Sequence, residues 1–180
     1  MNLNAKNYKS NQISQSKKIS LTAIMAALIA VTTIIAIPLP PPLSTINLAP
    51  VIIFTVAILL GPKVGGAATA IGCAIGYLTG ISVGTIVVPP GFQYIYLFGL
   101  IAARTPMAIA VGLLRKKSEI AGMTLGVVVE TMIFFVIDLA MFGIAFAIFD
   151  LGVFIDFVFV PITFVVLIAV RRMLNSKYLA

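Results

Sequence analysis

The sequence predicts an all-α protein, a polytopic membrane bundle of six transmembrane helices with both termini on the cytoplasmic side. Three observations support this fold class. Hydrophobic residues make up 61% of the 180-residue chain and charged residues only 9%, whereas a soluble domain carries about 25% charged residues. Six apolar runs can be drawn along the chain, and the basic residues that flank them agree on one orientation. Nearly the whole chain is therefore expected to lie in lipid as one domain.

The N-terminal residues 1–18 are polar and basic, and we expect them to form a flexible cytoplasmic tail. A segment so poor in apolar residues cannot bury enough surface to fold. The apolar run that follows is longer than the roughly 7–15 residues of a signal-peptide core. We therefore expect it to be retained as the first span of a substrate-binding domain over 19–175, followed by a short cytoplasmic tail at 176–180.

The loops between the apolar runs differ sharply in charge. Every Lys and Arg except Arg104 lies in the N-terminal tail or in the segments after the second, fourth and sixth runs. Short segments rich in Lys and Arg stay on the cytoplasmic side, which explains the net charge of +7 without a nucleic-acid surface. The six runs are 20–37, 48–60, 64–81, 93–114, 119–148 and 153–170.

The loop at 38–47, between the first two runs, is rich in proline and carries no charge. The stretch "IPLPPPLSTINLAP" at 37–50 holds five prolines. As a helix, the second run reaches only about 21 Å against roughly 30 Å of hydrocarbon, so the loop is expected to dip into the membrane. Irregular backbone is tolerated there only where it is buried in protein or lines a cavity. We interpret the loop as a stiff lid over an outward-facing pocket; alternatively, the prolines only terminate the flanking helices.

Two charges inside the apolar runs are predicted to pair. Arg104 lies eleven residues from Arg115, and Glu130 lies eleven residues from Glu119, both measured from the inner boundary. Each is about 16 Å deep at 1.5 Å per residue. Equal depth on consecutive antiparallel helices predicts an Arg104–Glu130 ion pair, for which we favour a structural role over contact with a substrate.

The outer half of the bundle collects the other polar residues that could contact a ligand. Asp138 and Asp156 lie about 28 and 22 Å from the inner boundary, at the depth expected for the lid. The candidate substrate-binding residues are Thr45, Asn47, Gln93, Tyr94, Tyr96, Asp138 and Asp156. Anchoring at the membrane interface is the alternative role for the tyrosines, and snorkelling to the surface is the alternative for Asp156.

Small residues recur at a spacing of four on two of the spans. Gly72, Gly76 and Gly80 form one ridge of the third span, and we expect this ridge to pack within the bundle. In the first span, the segment "LTAIMAALIA" places two alanine pairs on adjacent faces. The pairs are Ala23 with Ala27, and Ala26 with Ala30.

The sequence carries no motif that predicts an enzymatic reaction, although paired carboxylates are present. The chain has no histidine and one cysteine, Cys73, so no metal-ligating cluster is predicted. It has no Walker motif and therefore cannot hydrolyse ATP by a P-loop. We expect no catalytic residue and no cofactor.

Four features together resemble the substrate-binding S components of energy-coupling factor (ECF) transporters, over residues 19–175. They are the alanine spacing in "AIMAALIA", the outer loop before a short second helix, the turn "LLGPKVGGAATAIG", and "GLIAARTPMAIAVGLL" leading into a basic loop. The resemblance implies a subunit of an ECF-type ABC importer in a prokaryotic cell membrane. Such a subunit captures a vitamin or related micronutrient with high affinity beneath the loop between helices 1 and 2.

The resemblance also implies partners for the first span. S components couple through an alanine face of helix 1 to a transmembrane subunit, which two ATP-binding subunits drive. Carried over to this chain, Ala23 and Ala27 become the coupling pair, with Ala26 and Ala30 as the alternative register. The competing functions are a stand-alone secondary transporter or channel for a small solute, and a scaffold without a ligand.

Overall fold

The computed structural model describes residues 15–38, 45–88, 90–150 and 156–178, and the structural statements below concern these ranges. The chain begins with helix α1 (Gln15–Ile34), followed by a hairpin of β1 (Ala36–Pro38) and β2 (Thr45–Asn47). The helices that follow are α2 (Ala49–Leu60), α3 (Pro62–Ser82), α4 (Gln93–Leu114), α5 (Glu119–Phe142), α6 (Ile144–Asp150) and α7 (Phe159–Tyr178).

The predicted all-α, multi-pass fold class is confirmed. Four described helices, α1, α3, α4 and α5, are long and apolar enough to cross a membrane. The second apolar segment, α2, has only 12 residues, so it spans about 18 Å and is as short as the sequence predicts. The sixth predicted run corresponds to a short 3₁₀ turn at 156–158 followed by α7, which continues through Tyr178.

The fifth predicted run, 119–148, is not one helix. It is interrupted at Gly143, whose φ of 84° is a left-handed conformation that glycine adopts readily. The chain therefore ends α5 at Phe142 and starts the short helix α6 at Ile144. The uniform apolarity of this run hides the break, because both helices are apolar.

The short helix α2 lies at the centre of the bundle, in contact with α1, α3, α4 and α7. Its residues from Ala49 to Ile58 are buried except Ile52. A helix surrounded by protein needs apolar residues on every face. Its ends are set by Pro50 in its first turn and by Gly61, whose φ of 89° turns the chain directly into Pro62 and α3.

The loop predicted as a proline-rich lid contains a hairpin that the sequence analysis did not predict. Ile37 on β1 pairs with Ile46 on β2, in an antiparallel register that also joins Ala36 to Asn47 and Pro38 to Thr45. Ile46 packs on the hydrophobic core, whereas Ile37 is exposed. Residues 39–44, which include the three consecutive prolines, lie outside the described residues.

The glycine ridge of α3 packs against α1, as the sequence predicts. A Cβ atom added at Gly72 would lie 2.6 Å from the Ala26 carbonyl oxygen, and one at Gly76 would lie 2.7 Å from the Ala30 carbonyl oxygen. These distances show that the two backbones are in direct contact, which small residues permit in lipid. Gly80 instead faces Ile86, in the turn that follows α3.

Polar side chains stabilise the ends of helices at the side where the basic loops lie. Arg115 Nη1 donates to the carbonyl oxygens of Ile58 and Leu59, at 3.3 and 3.2 Å, and so binds the last turn of α2. Ser118 caps α5 by accepting a hydrogen bond from the Ala121 amide. Arg171 of α7 forms an ion pair with Glu119 of α5.

Candidate functional site

A buried ion pair joins α4 to α5 in the middle of the membrane-embedded domain. Arg104 Nε lies 3.0 Å from Glu130 Oε1. The Glu130 side chain has no exposed surface and that of Arg104 has 9%. A charge in lipid is costly unless it is paired and faces the bundle interior, and the two residues meet this condition because they lie at equal depth on neighbouring helices.

The hairpin contributes a third member to this cluster. Arg104 Nη1 lies 3.3 Å from Asn47 Oδ1. The same oxygen accepts a hydrogen bond from the Ala49 amide, at 3.1 Å, in the first turn of α2. Asn47 therefore connects the end of β2, the start of α2 and the buried ion pair.

Asp156 completes a buried polar cluster of four residues. It interacts electrostatically with both Glu130 and Arg104, and 7% of its surface is exposed. Its carboxyl is also hydrogen-bonded to that of Glu130, an interaction that two carboxyl groups form when they share a proton.

The depth of each residue explains why the four side chains meet. Asn47 lies 13 residues before the end of α2 at Leu60, and thus about 20 Å from the inner boundary. The same estimate gives about 16 Å for Arg104 and Glu130 and about 22 Å for Asp156. The sequence analysis assigned Asn47 and Asp156 to a separate outer layer. Applying the depth estimate to Asn47 would have placed it beside the ion pair.

Asp138 is buried on α5, eight residues and about 12 Å further along the helix than Glu130. It therefore belongs to the outer part of the bundle, as the sequence analysis expects. The side chain of Thr45, at the start of β2, lies outside the part of the chain that the structure describes.

The three candidates at the start of α4 differ in their surroundings. Gln93 and Tyr94 are exposed, Tyr94 by 70%, so their side chains point away from the buried cluster. The Gln93 backbone oxygen accepts a hydrogen bond from the Tyr77 hydroxyl at 3.0 Å, which ties α4 to α3. Tyr96 is half-buried, and its ring stacks on Phe142 with a centroid distance of 6.1 Å.

Phe142 also contacts Phe92, at a centroid distance of 5.3 Å, so the rings of Phe92, Tyr96 and Phe142 form one aromatic cluster. It lies where α4 begins and α5 ends. The sequence analysis missed both phenylalanines, because an apolar ring in an apolar run carries no signal of its own. Their positions at the outer ends of two consecutive spans could have indicated that the two rings lie close together.

The structure separates the two alanine registers of α1. Ala26 and Ala30 are buried against the glycine ridge of α3, so this register is not accessible to another protein. Ala23 and Ala27 are exposed on the adjacent face of α1. They lie within an apolar face that also presents Ile24, Leu28 and Val31.

An apolar groove of about 450 Å³ lies between α4 and α5, and it contains none of the predicted substrate-binding residues. It is lined by Ile95, Phe98, Gly99, Ala102, Val136, Ile137, Ala140 and Met141. Phe98 and Val136 are largely exposed, so the groove opens sideways toward lipid. It is therefore not the outward-facing pocket that the sequence predicts.

The chain is similar to one protein family in sequence and to a solved structure in fold. The sequence model of the family described as ECF-type riboflavin transporter, S component, matches residues 13–176. Among curated protein sequences, none matches the chain. A solved structure described as the S component of a bacterial ECF transporter is 20% identical, with a TM-score of 0.65. The match covers 92% of this chain and 99% of that one, and it concerns the fold.

Proposed function

Because the chain belongs to the ECF-type riboflavin transporter S component family, we propose that it captures riboflavin outside the cell and passes it to an ATP-driven partner module. The observation that carries this proposal is the family match over residues 13–176. Membership confirms the predicted class, a membrane transport subunit and not an enzyme. It also narrows the predicted vitamin-like substrate to a flavin.

The proposed binding site lies between the hairpin strands, the outer parts of α4 and α5, and Asp156. Riboflavin combines a flat three-ring system with a flexible chain of hydroxyl groups. The aromatic cluster of Tyr96, Phe92 and Phe142 suits the ring system, since aromatic rings stack favourably on one another. The hydroxyl groups of the ligand need hydrogen-bond acceptors, which carboxyl groups supply. Asp138 and Asp156 supply further acceptors on the same side.

Riboflavin fluorescence, which stacking on aromatic rings quenches, provides a direct test of this site. We expect titration of the purified chain to show saturable quenching with one riboflavin per chain. Tyr96→Leu should weaken binding about tenfold, because stacking on one ring is worth about 0.5–1.5 kcal/mol and ring burial adds to this. Tyr94→Leu is the matched control, since the Tyr94 side chain is exposed and its loss should leave the affinity unchanged. Equal effects of the two substitutions would remove the aromatic cluster from the site.

The coupling surface we propose is the exposed face of α1 that contains Ala23 and Ala27. Among the four long spans α1 is the least buried, and its other face is already covered by α3. Small residues on an exposed transmembrane face allow a partner helix to approach closely. The partners are a transmembrane ECF subunit and two ATP-binding subunits. The chain lies in the cell membrane with both termini on the cytoplasmic side.

Co-purification tests this surface. Ala23→Trp should release the partner module while riboflavin binding is retained, because the change is remote from the binding site. Val136→Trp adds the same bulk to an exposed position on α5 and should retain the complex. If Ala23→Trp leaves the complex intact, the coupling surface lies elsewhere. Riboflavin flux into liposomes that hold this chain alone would instead support a stand-alone transporter.

A further inference from the structure

We propose that Arg104 is a positioning residue of the binding site, which holds the β1–β2 hairpin against the bundle through Asn47. Only the consequence for ligand release rests on the proposed function. The position of the hairpin is a property of the chain without ligand, so it can be tested separately.

The hydrogen bonds of Asn47 point to an anchoring role. Its Oδ1 accepts from Arg104 Nη1 at 3.3 Å and from the Ala49 amide at 3.1 Å. A carbonyl oxygen has two lone pairs, so both acceptor positions of Asn47 are occupied within the protein. The sequence analysis made Asn47 a ligand contact, whereas its acceptor oxygen is used to join the hairpin to the bundle.

The hairpin is a weak element, joined directly to α1 and α2, and the contact with Arg104 adds to its attachment. Its strands have three residues each, and an isolated two-stranded hairpin is marginally stable at best. Of the central pair, Ile46 packs on the core while Ile37 is 60% exposed. Asn47 is the residue at which this weak element reaches a charged group of the bundle.

Arg104 is a rigid anchor, because its own position is fixed from the other side. Nε is held by Glu130 of α5, and the residue is buried. The guanidinium presents its N–H groups in a fixed planar fork. Setting Nε on Glu130 therefore directs Nη1 toward the hairpin. The ion pair thus has a structural role that extends to the position of the hairpin.

Two substitutions at Asn47 distinguish its hydrogen bond with Arg104 from its hydrogen bond with the Ala49 amide at the start of α2. Asn47→Asp keeps an acceptor oxygen for both Arg104 and the Ala49 amide. Asn47→Ser keeps an acceptor for the amide, as serine commonly does at helix starts, but its shorter side chain cannot reach Arg104. We expect the hairpin to stay in place in the Asp variant and to move away from the bundle in the Ser variant.

The measurement is the distance between two nitroxide labels by pulsed electron paramagnetic resonance, without ligand. The labels go on Ile37→Cys in β1 and Val136→Cys in α5, both exposed positions, and Cys73 is kept because it is buried and out of reach of the label. We expect the Ser variant to show a second, displaced population, and the Asp variant to match the parent chain. Loss of one charge-assisted hydrogen bond should raise the displaced fraction about tenfold or more. A Ser variant that matches the parent, or an Asp variant as displaced as Ser, would overturn the proposal.

A second variant tests Arg104 without changing Asn47. Arg104→Met together with Glu130→Met removes the donor to Asn47 and the carboxylate that pairs with that donor, and it should displace the hairpin in the same way. If it does not, Arg104 is not the anchor. When the release of bound riboflavin is followed over time by its fluorescence, the Ser variant should release ligand about tenfold faster than the Asp variant. If the chain binds no riboflavin, the proposed function fails, but the distance measurement still decides the role of Arg104.

Discussion

Replacing Gly76 by alanine tests how closely α1 and α3 pack. The new methyl group would lie 2.7 Å from the Ala30 carbonyl oxygen and 2.7 Å from Thr33 Cβ. Non-bonded carbon atoms prefer a separation of about 3.5–4.0 Å. The obstacle is the backbone of a neighbouring helix and not the end of a flexible side chain, so α1 has to move by about 1 Å to make room.

The cost of this movement can be separated from the helix propensity of alanine by a matched control. A Cβ atom at Gly99 would lie 3.5 Å from Ile137 Cδ1, an ordinary contact distance. Both substitutions gain the same roughly 1 kcal/mol of helix propensity relative to glycine. The difference between them is then the overpacking cost, about 1–3 kcal/mol. We expect Gly76→Ala to be less stable than Gly99→Ala by this amount.

The assay is reversible unfolding in mixed detergent micelles, followed by circular dichroism. The Gly76→Ala variant should unfold at a lower denaturant fraction than the parent chain, and Gly99→Ala should unfold at the same fraction or a higher one. If both variants unfold together, α1 does not contact α3 through this ridge. The assignment of Ala26 and Ala30 to the buried face would then fail as well.

Three further substitutions probe polar contacts in the same unfolding assay. Arg104→Met should cost about 3–5 kcal/mol because it leaves Glu130 buried without its counter-charge, and adding Glu130→Met should recover part of that loss. A double variant no more stable than the single one would contradict the buried pair. Arg115→Met should cost about 1–3 kcal/mol, since two carbonyl oxygens at the end of α2 lose their donor, and a neutral result would mean that water replaces the guanidinium. Arg171→Ala should cost at most about 1 kcal/mol, because its ion pair with Glu119 is partly exposed; a larger loss would show that this pair fixes α7.

Much of the fold follows from the sequence, because lipid imposes simple rules. Span length, apolarity and basic flanks define the segments, and the short second run correctly predicts a helix too short to cross alone. The small residues at positions 72 and 76 correctly predict close packing. These features are local, so composition and spacing are enough to find them.

The parts that sequence reasoning missed depend on tertiary contacts. The break at Gly143 is hidden because α5 and α6 are both apolar. The hairpin consists of three-residue strands whose pairing depends on the surrounding helices. The alanine registers of α1 are equivalent by spacing, and only the position of α3 distinguishes them.

The candidate site was predictable in part. Equal depth correctly indicates that Arg104 faces Glu130, because depth on two straight antiparallel helices can be counted in residues from the same membrane boundary. The depth of Asn47 is harder to estimate from the sequence, since it depends on α2 being short and central. Gln93 and Tyr94 share a helix turn with Tyr96, and sequence alone does not tell which side chains of that turn point inward.

Native mass spectrometry of the purified chain, after incubation with a mixture of vitamins, tests the central claim most directly. Our account predicts one added mass per chain, equal to that of riboflavin, and its loss when a competing flavin is added in excess. A chain that binds a different vitamin from the mixture, or none, would contradict the claim that it is a riboflavin-capture subunit.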